Sequence, residues 1–384
     1  MADILIIGGG ITGVATAHAA ARLGAKVRLL EARRLGALAS GWTLGGVRQS
    51  GRDPAEMDLA RRAVAIWPGL AEVLEADVGY HQRGNLRLAR TPSEVTRIQA
   101  LVTDQNALGL DLRFLADNAA IRAIAPAIGE TVLAASYCPT DGHADPDRTV
   151  AAFAAAARRL GANIQEDTPC RRILVSGSKV TAVETDHGVI EADRIIVAAG
   201  FHSPELLAPL GLTLPIDAQI VSVLQTVPMA PLLDPVFGVA NADCAGRQEA
   251  DGRLRVTTGI SAWPHPVAGW REAQLQPTGN QVAEMIQRIS QVLPALGAAG
   301  VARVWGGLID LTPDALPVLD GNCGIEGLIV AAGFSGHGFG IGPMVGRVLA
   351  DLALGRAPDT SVDAFRLNRF TNRVAGQVPL TLHG

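Results

Sequence analysis

The sequence predicts an α/β fold in two parts, one built on a parallel sheet flanked by helices and the other on a separate antiparallel sheet. Three observations carry this. Short apolar runs at Ile4–Ile7, Ile195–Ala199 and Leu328–Ala332 each end in glycine, the pattern of buried parallel strands. The first run leads directly into a helix and a second strand. Longer strand-like segments at Pro215–Thr226 and Arg253–Thr258 lie apart from these and suggest the second sheet. With 384 residues, 48% hydrophobic and 18% charged, the chain has enough apolar surface for both parts and is not dominated by disorder.

The first unit is the most specific. After Ile7 comes Gly8-Gly9-Gly10-Ile11-Thr12-Gly13, so Gly8-x-Gly10-x-x-Gly13 sits where a strand meets a helix. That helix carries Val14, Ala17 and Ala21 and ends at Leu23-Gly24, and a second strand, Val27–Leu30, closes on Glu31. In such a βαβ unit the first glycine permits a tight turn. The second lets backbone approach a pyrophosphate, and the third lets helix pack on strand. The helix N-terminus adds free N–H groups and partial positive charge. Glu31 is placed to accept hydrogen bonds from a ribose diol, which disfavours a 2′-phosphate and leaves NAD and FAD as candidates. The first part is therefore a Rossmann-like nucleotide-binding domain.

The remaining elements follow in order. A glycine-rich loop occupies Leu38–Gly51, and loops this long in compact domains usually serve function. Pro54–Glu75 has helical spacing, and Gly84–Ala89 alternates like a strand. Asp145-Pro146 reads as an N-cap with proline at the first helical position, opening a helix to Gly161. Asn163–Gln165, Arg171–Val175 and Lys179–Thr185 are short strands, with Asp186-His187-Gly188 as a hairpin turn. Pro277–Leu293 reads as a helix. No internal repeat or low-complexity linker appears. The nucleotide domain is expected to be discontinuous, spanning 1–83, 141–214 and 305–384, with 84–140 and 215–304 forming the substrate-binding domain.

Composition excludes several functions. The net charge is −4 with no Lys/Arg-rich run, so a nucleic-acid partner is not expected. The apolar stretches, such as Leu328–Phe334, are far short of the roughly 20 residues of a membrane span. Cys138, Cys170, Cys244 and Cys323 are scattered without metal-ligand spacing, so neither a zinc site nor a disulfide framework is expected. The first residues lack the features of a signal peptide, which implies a cytoplasmic address. Of the 33 basic residues only Lys26 and Lys179 are lysines, the rest being arginine.

Several motifs occur together and in order: Gly8–Glu31, Gly45-Gly46-Val47-Arg48-Gln49, Asp141–Pro146, Ile195–Gly200, Trp305–Leu308, Thr312-Pro313-Asp314 and Gly333-Phe334-Ser335-Gly336-His337-Gly338-Phe339-Gly340. Over nearly the whole chain this resembles the D-amino acid oxidase superfamily of FAD enzymes, most of all sarcosine-oxidase-type and heteromeric amino acid dehydrogenase β subunits. The resemblance implies FAD held by Gly8, Gly10, Ile11, Thr12, Gly13, Glu31 and Ala32, by Gly45, Gly46, Val47 and Arg48, and by Ala199, Gly200 and Gly307. It adds the block Gly333, Ser335, Gly336, His337, Gly338, Phe339 and Gly340. The residues of that block agree, because a helix beginning near Pro343 would aim a second N-terminus inward, where N–H groups stabilise negative charge on a reduced flavin.

The implied chemistry is oxidation of an amino acid, N-substituted, cyclic or of D configuration, with hydride passing to the flavin and water hydrolysing the imine. The protein then supplies orientation and charge. Arg48 and Arg52 are the candidates for holding the substrate carboxylate, since a guanidinium pairs bidentately with it, and His337 is the candidate for tuning charge beside the flavin. Relatives that bind flavin covalently use a cysteine near Gly307 or a histidine in the loop before Gly45. This chain has neither, so noncovalent FAD is implied. Relatives that hold an FMN use a histidine in the region of Asp145–Asp147, where Pro146 stands between the aspartates. A second flavin on a partner remains open. Relatives that react fast with oxygen place a lysine over the flavin; Lys26 and Lys179 are not expected to reach it, which points to electron transfer to a partner subunit or a quinone, with Arg253 or Arg255 as the candidates to substitute for that lysine. An oxygen-using oxidase that releases peroxide and a nonenzymatic dinucleotide-binding module are the alternatives.

Overall fold

The computed structural model describes residues 3–265 and 271–371. In chain order, the strands that frame the site are β1 (Asp3–Ile7), β2 (Lys26–Leu30), β3 (Arg194–Val197), β4 (Asp217–Thr226), β5 (Cys244–Gln248), β6 (Leu254–Ala262), β7 (Val301–Leu311) and β8 (Leu328–Ala332). The helices are α1 (Ile11–Arg22), α2 (Met57–Ile66), α3 (Pro146–Arg159) and α4 (Gly338–Ala353).

The mixed α/β class is as the sequence implies. A six-stranded sheet runs in the order Val318–Asp320, β8, β3, β1, β2, Asn163–Gln165, parallel except for the antiparallel edge at Val318–Asp320. In the parallel register Ile6 lies between Leu29 and Ile196. Successive side chains of β1 point to opposite faces. Ile4 and Ile6 join Val14, Ala17, Phe153, Val345 and Leu349 of α1, α3 and α4, whereas Leu5 and Ile7 join Ile173 and Val183 of a small three-stranded sheet on the other face. Burial on both faces is why these strands read as unbroken apolar runs. The small sheet includes the hairpin Lys179–Thr185 with Gly188–Glu191.

The second sheet has eight strands in the order β7, β4, β6, β5, Val236–Val239, Asn85–Ala89, Ala134–Cys138, Arg113–Leu115. All pairs are antiparallel except Val236–Val239 with Asn85–Ala89. Leu224, Phe237 and Val256 pack under Met285 and Ile289 of the helix Gly279–Ser290. β7 pairs with β4 along its whole length, from Asp217 opposite Leu311 to Thr226 opposite Val301. Position 305 therefore falls inside one strand, whose pairing with β4 is in register from Arg303 to Leu311 and shifts by one residue before Val301.

Two helices differ from their expected bounds. The segment from Pro54 begins with a single turn, Pro54–Glu56, whose Asp53 cap accepts from Ala55 N at 2.8 Å; α2 then stops at Ile66 before a turn containing Pro68 and Gly69. The helix expected from Pro343 starts at Gly338, with the proline inside it. Glycines explain this early start. A Cβ on Gly340 would lie 2.7 Å from Gly46 O, and one on Gly342 2.6 Å from Ile11 Cγ1, so the first turns of α4 are pressed against neighbouring backbone and against α1. Among the described residues no helix is long and apolar enough to cross a membrane.

At Gly346 α4 meets the backbone of α1, where a Cβ would lie 2.6 Å from Ala15 C and 2.7 Å from Ala15 Cβ. Gly346→Ala is expected to lower unfolding free energy by about 1–3 kcal/mol through overpacking, read as the shift in urea midpoint. An unchanged midpoint would show that the two helices separate freely.

Candidate functional site

A cavity of about 950 Å³ lies between the two large sheets. At one end, Gly8, Gly10, Ile11 and Thr12 open α1 onto it, and Glu31 and Ala32 follow at the end of β2. A Cβ on Gly8 would collide with Ala198 O, and Gly8 has φ +112°, so only glycine fits this turn. Glu31 is fixed by two backbone donors: its Oε2 accepts from Gly9 N at 2.6 Å and its Oε1 from Arg33 N at 2.8 Å. Burial pushes its carboxyl up and those N–H groups oppose the rise. The first N–H of α1 is met by Ser40, whose Oγ accepts from Ile11 N at 2.9 Å.

The other end is formed by the glycine-rich loop, β7 and the N-terminus of α4. Gly46, Arg48, Arg52, Ala199, Gly200, Gly307, Ser335, Gly336, His337, Gly338 and Phe339 all line the cavity. Five of the expected cofactor contacts do not. Gly13 is needed for packing, since its Cβ would fall on Gly8 O; Gly45 lies against Ala144 O, and Gly333 turns with φ +69° against Thr312. Val47 is buried in the core, and Gly340 packs on Gly46. The geometry fits FAD. Two helix N-termini without acidic residues in their first turns open on one elongated cavity, with a fixed carboxylate near one of them.

Arg48 and Arg52 are 6% and 5% exposed. Arg48 Nη1 donates to Ser50 O at 3.3 Å and Arg52 Nε to Arg48 O at 3.4 Å. Neither guanidinium has a carboxylate partner in a hydrogen bond among the described residues. Burial, then Arg52 and Arg87, pulls the Arg48 guanidinium well below its ordinary value. The nearby Asp141 is already engaged, accepting from Gln49 N at 2.9 Å, from Ser50 N at 3.3 Å and from the Ser50 hydroxyl. That carboxylate fixes the backbone on which Arg48 is carried. His337, which caps α4, is buried between Glu56 and the Ala315 carbonyl.

Sequence reasoning missed the residues that hold the loop from the other sheet. Three successive carbonyls, of Trp42, Thr43 and Leu44, accept from Trp305 Nε1 at 3.4 Å, Arg255 Nη1 at 3.0 Å and Arg247 Nε. These donors stand on β7, β6 and β5. Glu249 pairs with Arg255 at 2.8 Å and with Arg247 at 3.4 Å, and accepts from Gln225 Nε2 at 2.6 Å. Trp305 is flanked by Arg303 at 4.8 Å and Arg255 at 5.5 Å, and it does not line the cavity. Trp42 does, and it occupies the space a side chain at Gly307 would need, 3.0 Å from that Cβ. Asp310, also on the cavity wall, accepts from Gly333 N at 2.8 Å, and burial pushes its carboxyl up to about 6. Trp305 and Gly307 belong to the Trp305–Leu308 motif, whereas no local signal marks Trp42, Arg247 or Asp310, whose contacts reach other segments of the chain.

Fold and site together define a flavin-dependent redox protein. The chain matches the FAD dependent oxidoreductase family over residues 3–352 and belongs to it. It is 27% identical to the 4-methylaminobutanoate oxidase (formaldehyde-forming) of Paenarthrobacter nicotinovorans, over 96% of this chain and 45% of that protein. The chain thus spans about half the length of that relative. It is 28% identical to the sarcosine oxidase subunit beta of Arthrobacter sp, covering 96% of this chain and 91% of that one. The crystal structure of L-proline dehydrogenase from P. horikoshii superposes with a TM-score of 0.89 at 28% identity, covering 96% of this chain and 98% of that one.

The sheet-to-loop contacts carry a pH signature. Arg247 Nη1 lies 3.0 Å from His143 Nδ1, and because arginine only donates, Nδ1 must accept. Burial first, and then Arg247, push His143 down to about 2. Above pH ~6.5 the residue is neutral folded or unfolded; below it the unfolded chain binds a proton that the fold refuses, so stability falls with pH. This one group removes about 2 kcal/mol between pH 7 and pH 5. Asp310 acts in the opposite sense as pH falls through about 6, its folded carboxyl being the more readily protonated. The difference between proteins is therefore the readout: His143→Gln, which keeps an acceptor for Arg247, should lose about 2 kcal/mol less than wild type in urea unfolding at the two pH values. Equal losses would exclude His143 as the source.

Proposed function

We propose that this chain oxidises the C–N bond of an amino acid that is N-substituted, cyclic or of D configuration. The observation that carries the reading is the pair of buried arginines on the cavity wall beside the N-terminus of α4. Asp141 and Glu56 lie near these guanidiniums but hydrogen-bond to Gln49, Ser50 and His337 instead, so a substrate carboxylate is an anion the arginines can pair with directly. When bound, FAD supplies the acceptor for the hydride leaving the carbon that bears nitrogen.

The chain's own residues do the rest. Gly8, Gly10 and the start of α1 receive the pyrophosphate, and Glu31 receives the ribose diol. Ser335, Gly336 and Gly338, ahead of and within the first turn of α4, put backbone donors at the end where negative charge develops. Arg48 and Arg52 fix the carboxylate and thus the direction in which the reacting carbon faces. The proposed division into a nucleotide part and a substrate part follows the two large sheets, with the whole of β7 in the second. Noncovalent FAD is supported by Gly307, whose side-chain space is filled by Trp42, and by the lack of histidine in the loop Leu38–Leu44.

For the electron acceptor, we propose a partner subunit or a quinone. Lys26 pairs with Asp3 at 2.7 Å and Lys179 with Glu326 at 3.4 Å, and neither lines the cavity. Of the two arginines that could stand in for a lysine, Arg255 donates to Thr43 O and Arg253 pairs with Asp251, and neither lines the cavity. The other reading, an oxidase releasing peroxide, draws on the similarity to a sarcosine oxidase subunit. Enzyme reduced by substrate and mixed with air-saturated buffer beside a dye should reoxidise faster with the dye. Turnover on oxygen equal to that on dye, with stoichiometric peroxide, would select the oxidase.

Arg48→Met and Arg52→Met should each retain FAD, yet lose about 30-fold or more in kcat/KM, since losing one partner of a buried charge pair costs about 2–5 kcal/mol. An anaerobic screen of N-alkyl amino acids, prolines, D-amino acids and opines, followed by flavin bleaching, identifies the substrate for that measurement. FAD that no member of the screen bleached would leave a dinucleotide-binding module. Wild-type kcat/KM in either variant would remove that arginine from the site. Acid precipitation should give a colourless pellet and a yellow supernatant, and a yellow pellet would contradict noncovalent binding.

A further inference from the structure

Glu56 and His337 are 281 residues apart in sequence and both buried, at 1% and 8% exposure. His337 Nδ1 lies 3.0 Å from Glu56 Oε1, and Nε2 lies 3.1 Å from Ala315 O. A backbone carbonyl only accepts, so Nε2 must carry a proton. Nδ1 then faces a carboxyl oxygen, and with no proton between them two lone pairs would confront each other in a dry site. One further proton must therefore lie on the Nδ1···Oε1 line. Burial alone would raise Glu56, but His337 and Arg52, with Arg48 beyond, hold its carboxyl below the usual range, while burial and the same arginines pull His337 down; the shared proton is therefore required by the two contact distances. Arg48 and Arg52 are the other charged groups that act on both members of the pair.

The imidazole is where three segments meet. Glu56 ends the turn before α2, His337 caps α4 and donates its own N–H to Phe334 O at 3.0 Å, and Ala315 sits in a left-handed turn with φ +58° after β7. His337 and its neighbours Gly336 and Gly338 line the cavity. We propose that Glu56 is a positioning residue for the flavin site: it shares one proton with His337 and thereby locks the cavity-lining turn at the start of α4. Both hydrogen bonds persist on whichever side of the Nδ1···Oε1 line the shared proton lies, and the protonation of the unit stays fixed where a free histidine titrates. The inference takes the FAD cavity as given and is independent of the substrate and the electron acceptor.

The first test is nitrogen-15 spectroscopy of the histidine rings in the holoenzyme, with His337 assigned by difference against His337→Asn. Wild-type His337 should keep Nε2 protonated and show no titration between about pH 5.5 and 9. In Glu56→Gln the amide N–H can donate to Nδ1, so Nδ1 should move to the unprotonated position while Nε2 stays as it was. The second test is FAD release on dilution, followed by flavin fluorescence. Glu56→Gln should hold FAD within about threefold of wild type, and Glu56→Ala should weaken it about tenfold or more. A wild-type His337 that titrates near pH 6.5, a Glu56→Gln that loses FAD as badly as Glu56→Ala, or a Glu56→Ala that holds it like wild type would each overturn the assignment. If Glu56→Ala does not fold, the wild-type nitrogen spectra decide between the two outcomes.

Discussion

The close crossing of α1 and α4 is the constraint on which the rest of the structure depends. Gly342 meets Ile11 and Gly346 meets Ala15 with no room for a further carbon, so the two helix axes approach as nearly as backbones allow. Their N-termini consequently converge on one cavity. Two helix N-termini and their partial positive charges are directed into the same volume. The six-stranded sheet supplies the platform, and its strand ends at Ile7, Val197 and Ala332 lie at the edge from which the helices depart. Glycines there do three jobs: turning the chain, admitting backbone to backbone, and leaving space for a cofactor.

A second layer of order is electrostatic and comes from the other sheet. Arginine on β5 and β6 and tryptophan on β7 each take one carbonyl of the loop 42–44, and Glu249 balances the two arginines. Asp141 ties the segment 49–50 by accepting from the N–H groups of Gln49 and Ser50. Arg48 is thus carried on a backbone that is tied on both sides, and the Arg52 carbonyl accepts from Gln105 Nε2 at 3.0 Å. Their guanidiniums sit on the cavity wall while the carboxylates nearby are occupied elsewhere. The buried charges of this region divide into those that build the wall and those that face the cavity.

The parts that were legible in the sequence are those whose physics is local. Gly8–Glu31 declared a strand, a turn, a helix and a second strand within one window, because each step depends on neighbours. The block Gly333–Gly340 was legible for the same reason, although its helix begins earlier than Pro343 suggested; only the packed partner Gly46 explains that. The break in the helix after Ile66 was written in Pro68-Gly69 and was outweighed by the apolar spacing on either side. Glu56 and Arg247 could not be singled out, and Arg255 stood out only for a different role. In a chain so rich in arginine, one that reaches a carbonyl two hundred positions away looks like any other, and Glu56 resembles an ordinary acidic residue at a helix start. The site is defined by pairings across the fold, and single residues carry little trace of them.

The carbonyl contacts of residues 42–44 also bear on how such a protein can be rebuilt. A loop whose three oxygens are each spoken for by a different strand is, in mechanical terms, an extension of the sheet that grips it. It belongs to the nucleotide half by covalent connection and to the other half by attachment. Grafting the eight-stranded sheet of a distant relative onto this chain would leave those oxygens facing whatever the donor happened to carry at the positions of Arg247, Arg255 and Trp305. The two halves are therefore not interchangeable parts: a recombination junction would preserve the cavity only if loop and sheet crossed over together.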